Sequence, residues 1–377
     1  MAFRLATMDS FPGLLLTLIA ISGEFPTCLI DRLQFNSGYM ESVITRLKQE
    51  KLVRTFYRNS LRGLRLTAAA KKQLLENYPE RFRTILTGVS EINRLKCEVP
   101  RRLRLHRMAE VLVTVNNTGV YVFPWEKPPV FQTELPLTGC RVDLPVYYSS
   151  REIKGIGSSS SKIRNSRAAG VLFADNSIFT IYNAGPFQMK WEYNAEMRFK
   201  VFMQMEVCQT RLPAQYGSAD QRAVVFCAGI DQLDTLLGVG DGLSHNHFVL
   251  DGSYDHFYFL TSDQRGETLL RLLCDGNLRA MLDSILMEDL SPPRTGSPIE
   301  NDAMDGGVPV LFGYTCDMPR LRRFDTALSL HMRNGVVICF DFQEEAYRRC
   351  LGPHIQFQSL DFEQVAALTV NKPSYND

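Results

Sequence analysis

A chain of 377 residues, 45% of them hydrophobic, is long enough for two domains and apolar enough to give each a core. Its formal charge of +1 hides an asymmetry: residues 1–110 carry 19 Lys and Arg against 10 Asp and Glu, leaving 23 against 31 for the rest. A basic head on an acidic body is expected where one domain meets nucleic acid and the other does not, and it argues against a uniformly neutral enzyme.

The apolar run Leu14–Ile21 is broken by Thr17 and followed by Gly23 and Glu24. It is too short for a membrane span of about 20 residues, and no signal-peptide cleavage pattern follows it. Nine cysteines are spread singly, with no C-x-x-C pair and no histidine at zinc-ligand spacing. Reduced thiols in a cytoplasmic protein are expected, with no metal or other cofactor.

In chain order, a first helix is predicted over about Phe11–Ile21, opened by Ser10 with Pro12 in its first turn and closed near Gly23. A second runs from Pro26 to about Leu33. The turn QFNS leads to a third, with Ser37 as N-cap. In SGYMESVITRLKQE, Met40, Val43, Ile44 and Leu47 recur at i, i+3, i+4 and i+7, so they form one buried stripe and leave Tyr39, Ser42, Thr45, Arg46 and Gln49 facing outward. Leu52, Val53, Thr55, Phe56 and Tyr57 then read as a strand, Arg58 to Gly63 as a turn, and Leu64 and Leu66 as the return strand. Thr67 caps a further helix, AAAKKQLLENY. Between Arg46 and Lys72 nine basic residues face one acid, Glu50, a density suited to a phosphate backbone.

Helix, turn, helix and basic ribbon resemble a winged helix-turn-helix, expected to occupy residues 1–95. That resemblance implies that the third helix enters the major groove of double-stranded DNA, which nominates Ser37, Tyr39, Ser42, Thr45, Arg46 and Gln49 as base-facing, with a core position for Tyr39 equally open. Arg58, Arg62 and Arg65 fall at the wing tip or flank, where phosphates or the minor groove are met. A basic helix over roughly Arg101–Val113, with Arg101, Arg102, Arg104 and Arg107, is expected to bridge the domains, with Arg101 and Arg104 extending the DNA surface. His106 in that run reads as a packing or phosphate-contacting residue.

Residues 96–169 are expected to be this linker helix followed by the irregular stretch FPWEKPPVFQTELP and a basic loop containing Arg151, Lys154, Lys162, Arg164 and Arg167. The string GIGSSSSK lacks the Gly-Lys ending of a phosphate loop, so nucleotide binding is not expected. From residue 170 to 377 the pattern is an α/β domain with a mixed central sheet: a hairpin (Gly170–Phe173, Ser177–Tyr182), then helices and strands alternating to GVVICFDF and a helix over Glu344–Cys350. Residues 287–308, acidic and rich in Pro and Gly, predict a mobile loop.

Hairpin, helix, strand, helix, strand resembles the restriction-endonuclease-like core, and its pairing with an N-terminal winged helix resembles the plasmid replication-relaxation family of mobile genetic elements. The nuclease signature of that core is an acid on the first hairpin strand and E-x-K on the second, together holding a divalent metal. Here only Asp175 follows the first strand, and Ile178–Tyr182 offers no acid and no lysine, so a non-catalytic domain is expected. Lys190, Glu192, Glu196 and Lys200 are expected to be solvent-facing helix charges. His245, His247 and His256 beside Asp241, Asp251 and Asp255 lack metal-ligand register. Asp231 and Asp234 suit the start of a short helix.

The resemblance implies a DNA-binding accessory protein acting at an origin in replication or conjugative transfer. Its acidic body would recruit a relaxase or replication protein, or pair two copies into a homodimer, away from any membrane. Three alternatives stay open: a transcriptional repressor with an oligomerisation or ligand domain, a metal-dependent nuclease, and a winged helix that binds protein.

Overall fold

The computed structural model describes residues 7, 8, 10–87, 97–131, 141–153, 166–186, 189–237, 247, 248, 250 and 252–369. The chain is a mixed α and β protein of two compact units, one comprising Met1–Asn117 with Phe123–Lys127 and the other Thr118–Val122 with Pro128–Asp377.

In the first unit, α1 (Phe11–Ser22) is buried almost all round and is closed by Gly23, whose positive φ of 79° returns its N–H to the Ile19 carbonyl. A two-residue strand β1 (Phe25–Pro26) and a 3-10 helix (Thr27–Leu33) lead to α2 (Ser37–Gln49). The N-cap of α2 is Asn36, one residue earlier than expected: its side chain accepts from the Tyr39 N–H at 3.2 Å. Strands β2 (Val53–Arg58) and β3 (Leu61–Leu66) form a hairpin, and β1 adds to it in the antiparallel order β1–β3–β2. The turn is tighter than the predicted Arg58–Gly63: Asn59 and Ser60, at φ 51° and 60°, make it alone. Thr67 caps α3 (Ala68–Asn77) by accepting from the Ala70 N–H, and α4 (Pro79–Leu86) follows.

Helix α5 (Val99–Asn117) is no bridge between domains. It belongs to the first unit and packs on α1, β1 and the 3-10 helix, burying Leu105, Ala109, Val111, Leu112, Val113 and Val115. The apolar residues cover more than one stripe because the helix is enclosed on several sides.

The second unit holds two sheets where the sequence suggested one. The first runs β4 (Val146–Ser149), β5 (Gly170–Ala174), β6 (Ser177–Gly185), β7 (Gln221–Cys227), β8 (Phe257–Thr261), antiparallel from β4 to β6 and parallel from β6 to β8. A short helix α6 (Ser150–Ile153) follows β4. The crossover from β6 to β7 contains α7 (Tyr193–Phe202), continued by a π-helix (Met203–Arg211), and the short helix α8 (Pro213–Tyr216); that from β7 to β8 contains α9 (Leu233–Leu237). Both faces of β6, the central strand where the antiparallel and parallel halves of the sheet meet, are buried.

Two helices, α10 (Gln264–Cys274) and α11 (Gly276–Leu286), precede the second sheet. This sheet has the order β12 (Ile355–Leu360), β11 (Gly335–Phe340), β10 (Val308–Phe312), β9 (Ala303–Asp305), with α12 (Met318–Leu330) and α13 (Asp341–Cys350) as crossovers and α14 (Phe362–Thr369) at the end. One apolar cluster joins the two sheets, from Phe173, Tyr182, Phe199 and Val225 to Phe324, Val337 and Tyr347.

The segment expected to be mobile, residues 287–308, is anchored. Ser291 exchanges two backbone hydrogen bonds with Met304, Glu300 and Asp302 bind Arg320 at 2.8 and 2.6 Å, and residues 303–305 pair with β10. The acids that suggested a solvated loop serve as partners for a cation on α12.

Candidate nucleic-acid interface

The outer face of α2 is as the periodicity requires. Met40, Val43, Ile44 and Leu47 are buried, while Ser37, Tyr39, Ser42, Thr45, Arg46 and Gln49 are all exposed. Tyr39 keeps its ring 5.8 Å from that of Phe11, so half of it packs and half stands free. Arg46 reaches Glu50 at 3.8 Å, a loose i, i+4 pair that leaves its guanidinium available.

Alternation along the hairpin divides its side chains between two faces. Val53, Thr55, Tyr57, Arg62, Leu64 and Leu66 share one face; Arg54, Phe56, Arg58, Leu61, Gly63 and Arg65 share the other. Toward the tip both faces are open: Tyr57 is 68% exposed, and Arg58 and Arg62 are exposed as well, as is Arg54 nearer the base. Among the described residues, Lys48, Lys51, Arg54, Arg58 and Arg62 have no ion-pair partner. Five free cations on one helix, the turn after it and the following hairpin, together with hydroxyl and amide groups on α2, are suited to phosphate and base-edge contact respectively.

Arg65 does not belong to this set. It is 2% exposed and holds the buried Glu24 with Nε at 2.9 Å and Nη2 at 2.6 Å. Arg102 on α5, fully buried, holds the same carboxylate with Nε at 3.0 and 3.1 Å and Nη2 at 2.5 Å, and His106 Nε2 lies 2.8 Å from Oε1. Arg102 also donates from Nη1 to the Arg58 carbonyl at 2.7 Å and from Nη2 to those of Leu61 at 3.0 Å and Phe56 at 3.3 Å. Both guanidiniums lie over the Phe56 ring, at 3.7 Å for Arg65 and 4.7 Å for Arg102. Burial works against the Glu24 charge, yet the hydrogen bonds from His106, Arg102 and Arg65 prevail and bring its pKa down to about 2.

Of the two arginines assigned to the flank of the surface, Arg104 is exposed and Arg101 is exposed but paired with Glu98 at 3.0 Å. The sequence held one clue to the buried cluster. Arg102 and His106 stand at i, i+4, on the helix face that also carries the buried Leu105 and Ala109.

In the second unit the acids nearest the β5–β6 hairpin are engaged. Asp175 lies in the two-residue turn at φ 46°, over Gly276 and 3.8 Å from Arg279. Glu196, expected in solvent, is fully buried: its carboxylate accepts from Ser166 Oγ at 2.8 Å, the Arg167 N–H at 2.7 Å and the Tyr182 hydroxyl at 3.0 Å. Lys200, also expected in solvent, donates to the Ser253 carbonyl at 2.8 Å and lies 5.0 Å over the Tyr254 ring. Glu192 is exposed and 3.9 Å from Arg198. His256 pairs through Nδ1 with Asp317 at 2.5 Å, and Asp231 and Asp234 each bind Arg349 at 2.8 Å. His245, Asp241, Asp251 and the GIGSSSSK loop lie outside the described residues. Among the described residues no three His, Cys, Asp or Glu side chains gather into a metal-holding group, and no helix is long and apolar enough to cross a membrane.

Comparison with family models, with curated proteins and with solved structures finds no match to this chain.

Proposed function

We propose that the first unit is a winged helix-turn-helix that binds double-stranded DNA, with α2 in the major groove and the β2–β3 hairpin as the wing. The observation that carries this reading is the coincidence of two surfaces. Six polar or aromatic residues face outward from α2, and the hairpin immediately after it bears exposed, unpaired cations.

Within this reading the chain is an accessory protein of a plasmid or integrative element. It recognises a site at an origin of replication or transfer and recruits a partner, a relaxase or replication protein, through its acidic body or through a homodimer. The body is read as a restriction-endonuclease-like scaffold without catalysis, supported by the engagement of Asp175 with Arg279 and of Glu196 with Ser166, Arg167 and Tyr182.

The test is fluorescence anisotropy of the full chain with labelled random and origin-derived duplexes across a salt series. Five phosphate contacts would give a slope of log affinity against log salt of roughly −4 to −5. Absence of salt-sensitive duplex binding at low ionic strength overturns the reading.

A further inference from the structure

The tip of the hairpin has little to hold it in place. Tyr57, Arg58, Asn59, Ser60 and Arg62 are all exposed, and a two-stranded ribbon is marginal in water without support. The support comes from α5: Arg102 reaches the carbonyls of Arg58 and Leu61, the last pair before the two-residue turn, and that of Phe56. Arginine suits this task because its fixed planar fork serves several acceptors at once, whereas a lysine ammonium is a point charge on a flexible stem. Glu24 holds the fork from the opposite side, and Phe56 lies beneath it.

Two arginines and a histidine around one buried carboxylate are more than charge neutralisation needs, and buried ion pairs are weak stabilisers compared with apolar packing. Their yield is geometry. The backbone carbonyl that Arg102 grips belongs to Arg58 itself, whose side chain is exposed, and Arg62 follows Leu61 directly. Fixing the Arg58 and Leu61 carbonyls therefore fixes where the two tip cations point.

We infer that Arg102 is the positioning residue of the wing: by clamping the hairpin tip to α5 it presents Arg58 and Arg62 to duplex phosphate, an inference that rests on the winged-helix reading. Arg102 contacts no DNA itself, being fully buried.

The experiment uses the full chain and a mixed-sequence DNA duplex, comparing wild type, Arg102→Lys, Arg62→Ala and the double variant by anisotropy over a salt series, well below the unfolding temperature of each. Arg102→Lys keeps a cation beside Glu24 and loses the fork. The expected result is affinity lowered roughly tenfold and a salt slope shallower by about two, one for each tip cation released. Arg62→Ala should then cost less in the Arg102→Lys background than in wild type, a non-additivity that a general loss of stability does not produce. An unchanged slope, or additive effects, with wild type binding normally, overturns the positioning role alone. Failure of wild type to bind overturns the DNA-binding reading with it. Should Arg102→Lys not fold, amide exchange of wild type decides: the Leu61 N–H should be protected as strongly as that of Leu64, and rapid exchange at Leu61 overturns the clamp.

Discussion

Gly63 lies directly against Glu24: a Cβ at position 63 would come within 2.5 Å of Oε1 and 2.6 Å of Cγ of that carboxylate. The glycine is required by this close approach of β3 to the buried acid, since Gly63 is also the residue paired with Pro26 of β1. Gly63→Ala must displace either the carboxylate or the strand. We expect a loss of about 2 kcal/mol in the stability of the first unit, within the usual range for overpacking a closed site. The two tryptophans divide conveniently, Trp125 in the first unit and Trp191 in the second. Denaturant unfolding followed by Trp125 fluorescence in a Trp191→Phe background reads the first unit alone, and a loss below 0.5 kcal/mol would contradict the close approach.

Glu24 also gives the first unit an acid limit. Its pKa in the folded protein is about 2, below the ordinary carboxylate value of 4.5. A lowered carboxylate pKa contributes stability that is fully present above the ordinary value and is lost as pH falls toward the folded value. On this basis the site supplies about 3 kcal/mol at neutral pH, which disappears between about pH 4.5 and 2. The Trp125 signal should show this decline, and Glu24→Gln should flatten it while lowering stability at neutral pH. A Glu24→Gln protein as stable as wild type at pH 7 would show that the ionised form carries nothing.

Arg62 and Arg65, three residues apart on one strand, should separate cleanly. Arg65→Ala leaves a buried carboxylate with fewer partners and should cost about 3 kcal/mol or more. Arg62→Ala removes an exposed, unpaired cation, so stability should stay within about 0.5 kcal/mol while the salt slope of duplex binding falls by about one. The reverse pattern would mean that the alternation of the hairpin has been assigned to the wrong faces.

On α2, Arg46→Ala should act on sequence preference. Arg46 is exposed on the face shared with Ser42, Thr45 and Gln49, and its pairing with Glu50 is loose. Selection of duplexes from a random library should return a site with one position relaxed in the variant, since each bidentate base contact discriminates by about 1–3 kcal/mol. An identical selected site for both proteins would remove Arg46 from base readout.

These contrasts mark how far the sequence could be read. The face of α2 was legible because helical periodicity involves residues within 13 positions of one another, and the hairpin because its alternation is local. The burial of Arg65 was not, because its cause is Glu24, 41 residues away, brought in by the short strand β1, whose two residues carry no periodic signal. The same reason misplaced α5: the arginines of RRLRLHR look like a solvated face until Arg102 is seen to have acceptors on a hairpin more than 40 residues upstream. In the second unit the hairpin and the alternation of helices and strands are local signals, whereas four parallel pairings across two sheets depend on crossovers that no local pattern encodes.

Glu196 should respond to pH with the opposite sign from Glu24. Three donors, from Ser166, Arg167 and Tyr182, favour its charged form, yet burial outweighs them and raises its pKa above the ordinary carboxylate value. For a carboxylate raised in the folded state, the proton binds more tightly in the fold than in the unfolded chain. The stability it contributes is therefore fully present below the ordinary value and declines as pH rises through the raised one. Acidification from neutral pH toward the ordinary carboxylate value thus strengthens the second unit at this site, and only below that value does Glu24 begin to weaken the first. Trp191, whose ring lies 5.1 Å from that of Tyr182, reports the site in a Trp125→Phe background. Glu196→Gln, which keeps the shape and stays neutral, should leave the second unit at least as stable as wild type at pH 7 and remove this part of its pH dependence. Strong destabilisation by Glu196→Gln at neutral pH would show that the three donors, and not burial, decide the charge of this side chain.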